Sequence, residues 1–284
     1  MDYVKVLYHL IKIYKNLDKK EKLTEIKLNY PVVLVHGIAA PGRRSAANFW
    51  GRIPAVLERK GVQVFIGDNI PWGYYESNAL LLKKLIEKIL LETGKEKVNI
   101  IAHSKGGLDA RYLIWKHAFG GKVASLTTIC TPHNGSEIAD LIHKQTLNPT
   151  KASSKALELY GKLSRDISPG IYNVNYQLTT MNMKDFNREV AMDNSVYYQS
   201  LYTTMKNAFD DPLFYHTYQY IKKIIGANDG LVSVYSTLWG SNHRKLAGGI
   251  SHTEIQDLKK KRISGRNIPD IYISILNDLG ERGF

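Results

Sequence analysis

Short, almost wholly apolar runs alternate with amphipathic stretches through the first half of this chain, and that alternation restricts the fold more than any other feature. Residues 31–37 read PVVLVHG, an unbroken run of strand formers ending in glycine. A strand with one wet face alternates polar and apolar residues, whereas an unbroken run belongs to a strand covered on both faces, as in a parallel sheet. VQVFIGD (62–68), KVNIIAH (97–103) and VASLTTICTP (123–132) predict further strands. Between them, NALLLKKLIEKILLETG (78–94) predicts an amphipathic helix stopped by Gly94, and LDARYLIWKHA (108–118) predicts a second. Strand–helix alternation of this kind gives an α/β fold, a mostly parallel central sheet with helices on both faces. A chain of 284 residues is read as a single domain over 1–284.

The rhythm stops at residues 137–216, where HKQTLNPTKASSKALELYGKLSRD shows helical potential but no clear strand. That block is expected to be a lid or cap inserted over the sheet edge. The sheet is expected to resume with YHTYQYIKKIIG (215–226), to finish with HRKLAGGISH (243–252), and to be followed by a helix over 268–282. At the other end Val4, Leu7, Leu10, Ile11, Tyr14 and Leu17 recur at helical spacing, with Lys5, Lys12, Asn16 and Lys19 on the opposite side. Residues 1–28 are therefore read as a basic amphipathic helical extension, docked on the domain or lying on a membrane surface.

Lysine and arginine outnumber the acidic residues by 39 to 26, a formal charge of +13. No basic stretch is interleaved with the Gly and aromatic pattern of an RNA-binding sheet, and no zinc-finger spacing occurs, so no nucleic-acid partner is expected. An anionic lipid surface remains a fit for that charge. The single cysteine, Cys130 in LTTIC, excludes an internal disulfide and a cysteine-based metal site, and reads as a buried small hydrophobe. Charged residues break the N-terminal apolar pattern too often for a signal-peptide core, and no run of about 18 uncharged apolar residues exists to span a membrane. The chain is expected to be cytoplasmic, or secreted only if a leader has been removed, with no obligate protein partner.

Ser104 sits in IIAHSKGGLD (100–109), where a buried strand turns abruptly into a helix. A serine nucleophile on such an elbow is held in an unfavourable backbone conformation, and its neighbours two before and two after are small because strand and helix nearly touch. Ala102 and Gly106 meet that requirement. Serine also needs a base and an orienting acid, which in α/β-hydrolases follow in the order Ser, acid, His on loops after later strands. Asp229 in IIGANDGLVS and His252 in AGGISHTE have the right types, order and loop placement. His36 precedes the serine, His103 lies inside the elbow, and His133 and His243 read as surface or structural residues. Asp109 and Asp257 are the alternative acids and otherwise read as solvated helix-face carboxylates. Two backbone N–H groups complete the set as oxyanion donors: Lys105, which opens the helix, and Ile38 in HGIAAPG. Because Lys105 contributes its backbone, its side chain is expected to be replaceable at small cost, whereas Gly106 is expected to tolerate nothing larger.

VVLVHG, NIIAHSKGGLDARY, LTTICTPHNGSEIADLI and GANDGLVSV followed by ISH resemble the bacterial true lipases of the α/β-hydrolase superfamily, including the branch with a small residue other than glycine before the elbow serine. The likeness covers most of residues 30–258. It implies an α/β-hydrolase fold, a serine carboxylester hydrolase acting on acylglycerols or related esters, and a mobile helical lid within 137–170. Tyr160, Tyr172, Tyr176, Phe186, Tyr197 and Tyr198 become candidates for the acyl pocket and cap. The resemblance further implies a structural Ca²⁺ near the catalytic histidine, for which Asp211 and Glu254 are the matching carboxylates; Gln256 and Asp257 are near the expected third position but out of register. The chemistry itself requires no cofactor. A phospholipase or acyltransferase working on lipid surfaces with the same triad, and a catalytically silent binding module, are the competing readings.

Overall fold

The computed structural model of the chain describes residues 25–38, 49–145 and 170–284. Among them six strands form one sheet: β1 (Val32–Val35), β2 (Val64–Ile66), β3 (Val98–His103), β4 (Val123–Ile129), β5 (Tyr197–Thr204) and β6 (His243–Gly248). Their order is β2-β1-β3-β4-β5-β6, and every neighbouring pair is parallel. The helices are α1 (Ile53–Glu58), α2 (Tyr75–Thr93), α3 (Gly106–Lys116), α4 (Glu137–Gln145), α5 (Gly170–Gln177), α6 (Thr180–Glu189), α7 (Tyr215–Ile224), α8 (Val234–Thr237) and α9 (Ile268–Glu281).

Successive side chains on a strand point to opposite faces, so an unbroken apolar run feeds two cores. Val32 and Leu34 of β1 join Ile53 and Leu57 of α1 and Tyr272, Ile275 and Leu276 of α9 on one face. Val33 and Val35 join Leu82, Ile86 and Ile89 of α2 and Leu113 of α3 on the other. Full burial of each such aliphatic side chain contributes about 1.5–3 kcal/mol of transfer free energy. Gly94 ends α2 as expected, in the left-handed region at φ 66°, where its missing Cβ removes the steric penalty.

The structure departs from the sequence reading in three places. The block 137–216 does contain a strand, β5, which is integral to the sheet. Its sequence YYQSLYTT hides the signal because its buried positions are largely polar. Gln199 donates to Thr127 Oγ1 at 2.8 Å and the Ser200 hydroxyl to the Trp239 carbonyl at 2.9 Å, so these residues are buried with partners. Conversely, YHTYQYIKKIIG is helix α7. Its Tyr, Thr and Ile content suggests a strand, yet the buried residues Thr217, Tyr218 and Ile221 fall at i, i+1 and i+4, in line with Phe214 just before the helix, on one helical face. Finally, residues 25–28 at the end of the expected N-terminal helix are not helical. Ile26 is buried and its N–H bonds the Lys60 carbonyl at 3.0 Å. Residues 1–24, and 146–169 of the expected lid, lie outside the described residues.

The chain leaves β1 toward β2 on one side and returns to β3 on the other. Such a reversal opens a crevice beyond the carboxyl ends of the two strands, where their loops diverge. Ile38 follows β1 and Ser104 follows β3, so both face that crevice.

Candidate active site

Ser104 lies between the end of β3 and the start of α3 with φ 55°, left-handed for a residue with a Cβ. Its N–H is held by the Ile129 carbonyl at 2.9 Å. The turn is as tight as the sequence implied: a Cβ on Gly106 would run into the carbonyls of His36 and Val35, the latter at 2.8 Å. Gly37 packs against the serine itself, where an added Cβ would lie 2.6 Å from Ser104 Cβ.

The structure brings Ser104, His252 and Asp229 into one hydrogen-bonded chain. His252 Nε2 is 3.0 Å from Ser104 Oγ, and His252 Nδ1 is 2.7 Å from Asp229 Oδ2. The second carboxylate oxygen, Oδ1, accepts from the N–H groups of Leu231 (3.0 Å) and Val232 (2.8 Å), which aims Oδ2 at the imidazole. Asp229 does not directly follow a strand, as the sequence suggested. The chain leaves β5 at Thr204, passes through α7, and returns beside the strand end, where Met205 N–H bonds the Asn228 carbonyl at 2.9 Å.

Two supporting residues were not anticipated. His103 does not reach the serine hydroxyl; its ring lies 4.7 Å from the His252 ring, and its Nε2 is 2.9 Å from the His252 carbonyl. Gln256 Nε2 donates to His103 Nδ1 at 3.0 Å, so Nε2 carries the proton and donates to that carbonyl. Burial, reinforced by the neighbouring His252, pushes His103 well below the ordinary histidine range. The only sequence signal for this pair was their proximity to Ser104 and His252. Of the two readings of His133, surface or structural, the structure shows the second: it is fully buried, stacked on Trp239 at 4.7 Å and bonded to Thr128 and Arg111. His243 is exposed on β6, and His36 is buried against Phe49.

The side chain of Lys105 reverses its sequence expectation. It is 1% exposed, and its Nζ lies 2.6 Å from Asp109 Oδ1. Asp109 is equally buried, not solvated, and its Oδ2 accepts from Asn78 at 2.9 Å and Asn69 at 3.3 Å. Asn69 Nδ2 also holds the His36 carbonyl at 2.8 Å, so the cluster ties α3 to the loop after β1. Asp257 is likewise buried, gripped by the Arg52 guanidinium through two contacts of 2.7 Å. Asp257 looked solvated because its partner Arg52 is 205 residues away in sequence, and Asp109 because an i,i+4 pair with Lys105 normally lies on a wet helix face. Lys105 opens the first turn of α3, where amides have no intrahelical partner. Ile38 lines the same cleft as Ser104.

That cleft is walled by Phe49, Trp72, Leu178, Leu231 and Leu258 together with Ile38. Tyr176, Phe186, Tyr197 and Tyr198 are not among its walls. Phe186 packs beneath it with Leu178 and Met183, and Tyr197 stacks on Phe284. The side chains of Tyr160 and Tyr172 lie outside the described residues. The walls come from five separate loops, which no single window of sequence displays.

Asp211 and Glu254 do come together, on either side of Ser251, but around an ammonium group. Lys259 Nζ lies 2.6 Å from Glu254 Oε1 and 3.7 Å from Asp211 Oδ2. Calcium takes about 6–8 oxygen ligands, and the two further side chains in reach are committed elsewhere, Gln256 to His103 and Asp257 to Arg52. This donor set does not fit a hard divalent ion. Among the described residues, the one close grouping of three metal-ligating types is Cys130, Asp229 and His252. There the Asp229–His252 bond occupies the ring nitrogen, and burial pushes the Cys130 thiol well up, against the thiolate a metal needs.

A parallel sheet flanked by helices, carrying a serine–histidine–carboxylate chain at its carboxyl edge, defines the α/β class of hydrolases. Residues 30–151 match the family model of the alpha/beta hydrolase fold. Triacylglycerol lipase 2 of Saccharomyces cerevisiae is 30% identical over 262 residues, which span 83% of this chain and 74% of the yeast protein. A triacylglycerol lipase of Pseudarthrobacter phenanthrenivorans is 32% identical over 175 residues, 56% of this chain and 53% of that protein. The chain thus spans about half the length of this bacterial relative. The mature lipase BlEst2 of Bacillus licheniformis superposes with a TM-score of 0.67 at 21% identity, covering 87% of this chain and 91% of that one. The chain belongs to the lipase/esterase family of the α/β-hydrolase superfamily, and it is a carboxylic ester hydrolase. Among the described residues no helix is long and apolar enough to cross a membrane.

Proposed function

We propose that the chain cleaves acylglycerols or closely related carboxylic esters through an acyl-enzyme on Ser104. The observation that carries this reading is the unbroken Ser104–His252–Asp229 chain at the mouth of an apolar cleft. Ser104 Oγ attacks the ester carbonyl carbon while its proton passes to His252 Nε2. Asp229, fixed by the Leu231 and Val232 amides, holds the imidazole in the required tautomer and stabilises its positive charge. The N–H groups of Ile38 and Lys105 take the developing oxyanion, a contribution worth about 10²–10³ in kcat per donor. His252 then gives its proton to the departing alkoxide. Water, deprotonated by His252, attacks the acyl carbon and releases the carboxylic acid, and Ser104 regains its proton. The acyl chain lies along Phe49, Leu178 and Leu231, with α4, α5 and α6 as the cap.

Replacing Ser104 by Ala is expected to abolish hydrolysis of a p-nitrophenyl ester series and labelling by a fluorophosphonate, with the melting temperature retained. Turnover that survives the substitution removes this mechanism. A rise in rate when the ester passes its solubility limit would identify a lipase with a working cap; smooth saturation would identify an esterase. The charge of +13 supports an anionic lipid surface as the place where substrate is met. Binding to anionic vesicles that weakens with salt is the expected result, and no vesicle binding at low salt removes that surface.

A further inference from the structure

We infer that the ammonium of Lys259 is the built-in cation of the loop that carries His252, doing there the work that a bound divalent ion would otherwise do. Ser251, the residue before the histidine, is gripped from both ends. Its hydroxyl donates to Asp211 Oδ2 at 2.6 Å, and its N–H donates to Glu254 Oε2 at 3.0 Å. These contacts set where the backbone of His252 begins, while the Asp229 and His103 contacts hold its N–H and carbonyl. The two carboxylates are 5% and 3% exposed. Two like charges packed around one serine, with little access to water, repel each other and require a counter-charge.

Lys259 supplies it. Its side chain is 41% exposed, so a flexible stem runs over the surface and delivers Nζ to Glu254 at 2.6 Å and to Asp211 at 3.7 Å. Burial works against the charge, but the bond to Glu254 and the nearness of Asp211 outweigh it and hold the amine above the ordinary lysine range. A tethered cation is present at unit occupancy and cannot be removed by a chelator. Lys259 is therefore a positioning residue: it acts on the reaction through His252 and touches no reacting atom.

The inference rests on the assignment of His252 as the general base, and its test has an arm that does not. The wild-type enzyme and the variants Lys259→Met and Lys259→Arg are compared in ester turnover and in melting temperature, each after EDTA treatment and again with added calcium. Wild-type turnover and melting are expected to ignore both additions. Lys259→Met is expected to melt lower and to lose about tenfold in kcat, as a displaced catalytic group does, with KM unchanged. The defect is expected to be reversed by Lys259→Arg or by calcium entering the vacated carboxylate pair, and either reversal supports the inference. A wild type that loses turnover or melts lower in EDTA overturns it. So does a Lys259→Met variant equal to wild type, or one impaired in a way that neither arginine nor calcium reverses. If the wild type hydrolyses no ester, the proposed reaction fails while the melting comparison still tests the cation.

Discussion

Lys105 and Asp109, one helical turn apart at the start of α3, form an ion pair of 2.6 Å in which each side chain is 1% exposed. Lys105, the neighbour of Ser104, is thereby tied through Asp109 and Asn69 to the His36 carbonyl on the opposite loop. Burial already pushes the Asp109 carboxyl above its ordinary range, and the Lys105 ammonium works against that shift. Lys105→Met removes the compensation and leaves a buried charge alone, which costs about 3–5 kcal/mol and lowers the melting temperature by roughly 10 °C. Lys105→Met combined with Asp109→Asn is expected to recover part of the loss. Urea unfolding of the wild type and the two variants measures both effects, and a loss under about 1 kcal/mol for the single change would contradict the role of the pair.

Elements built on local patterns were legible before the structure. The unbroken runs of β1, β3 and β4 and the amphipathic stripe of α2 each state their environment within one window. Ser104, Asp229 and His252 were legible for a different reason: the elbow and the chain order of the triad constrain residue type, spacing and loop placement together. What escaped was pairing at a distance. β5 is buried through Gln199 and Ser200, whose partners lie on β4 and near Trp239. Lys105 was misread because a lysine in a helix normally faces water, and only the fold shows that this one is buried with Asp109. The walls of the cleft, likewise, are neighbours only after five loops have converged.

A pH dependence of stability follows from the buried histidines. His36, His103 and His133 are each held below the ordinary histidine range, burial being the largest cause in all three. Above about pH 6.5 both folded and unfolded chains carry them neutral, so they add no pH dependence there. As pH falls through that value the unfolded chain takes up protons that the folded chain refuses, and stability is lost. The slope is at most about 1.4 kcal/mol per pH unit for each histidine. His103→Gln is expected to remove one histidine's share of that slope, and to lower kcat because the His252 carbonyl loses its imidazole donor. Unfolding free energies near pH 7 and pH 5 provide the readout; an unchanged slope in His103→Gln would show that the ring titrates normally.

Gly37 is required for space, not for backbone freedom, since its φ is not positive. A methyl group there would sit 2.6 Å from Ser104 Cβ and 3.1 Å from Ser104 Oγ. Rotating the hydroxyl would leave the Cβ contact in place, so the elbow or the loop after β1 must shift, which displaces Oγ from His252 Nε2, now 3.0 Å distant. Gly37→Ala is therefore expected to lose on the order of 100-fold in kcat, the usual penalty for misplacing a reacting group by about 1 Å. Circular dichroism and melting should stay close to wild type. A variant with near-normal kcat would mean that the loop after β1 relaxes freely and does not hold the nucleophile.

Strain at the elbow can be measured separately from catalysis. Ser104 has φ 55°, a conformation that costs a residue with a Cβ about 1–2 kcal/mol and costs glycine nothing. Ser104→Ala keeps the Cβ and the strain, whereas Ser104→Gly relieves the strain but gives the unfolded chain more freedom, an offset of about 0.5–1 kcal/mol. Both variants lack the hydroxyl, so both are expected to be inactive. Ser104→Gly is nevertheless expected to be the more stable of the two by about 1 kcal/mol. Paired denaturation curves decide the order. If Ser104→Ala proves as stable or more so, the strain at the elbow does not exceed that offset of about 0.5–1 kcal/mol.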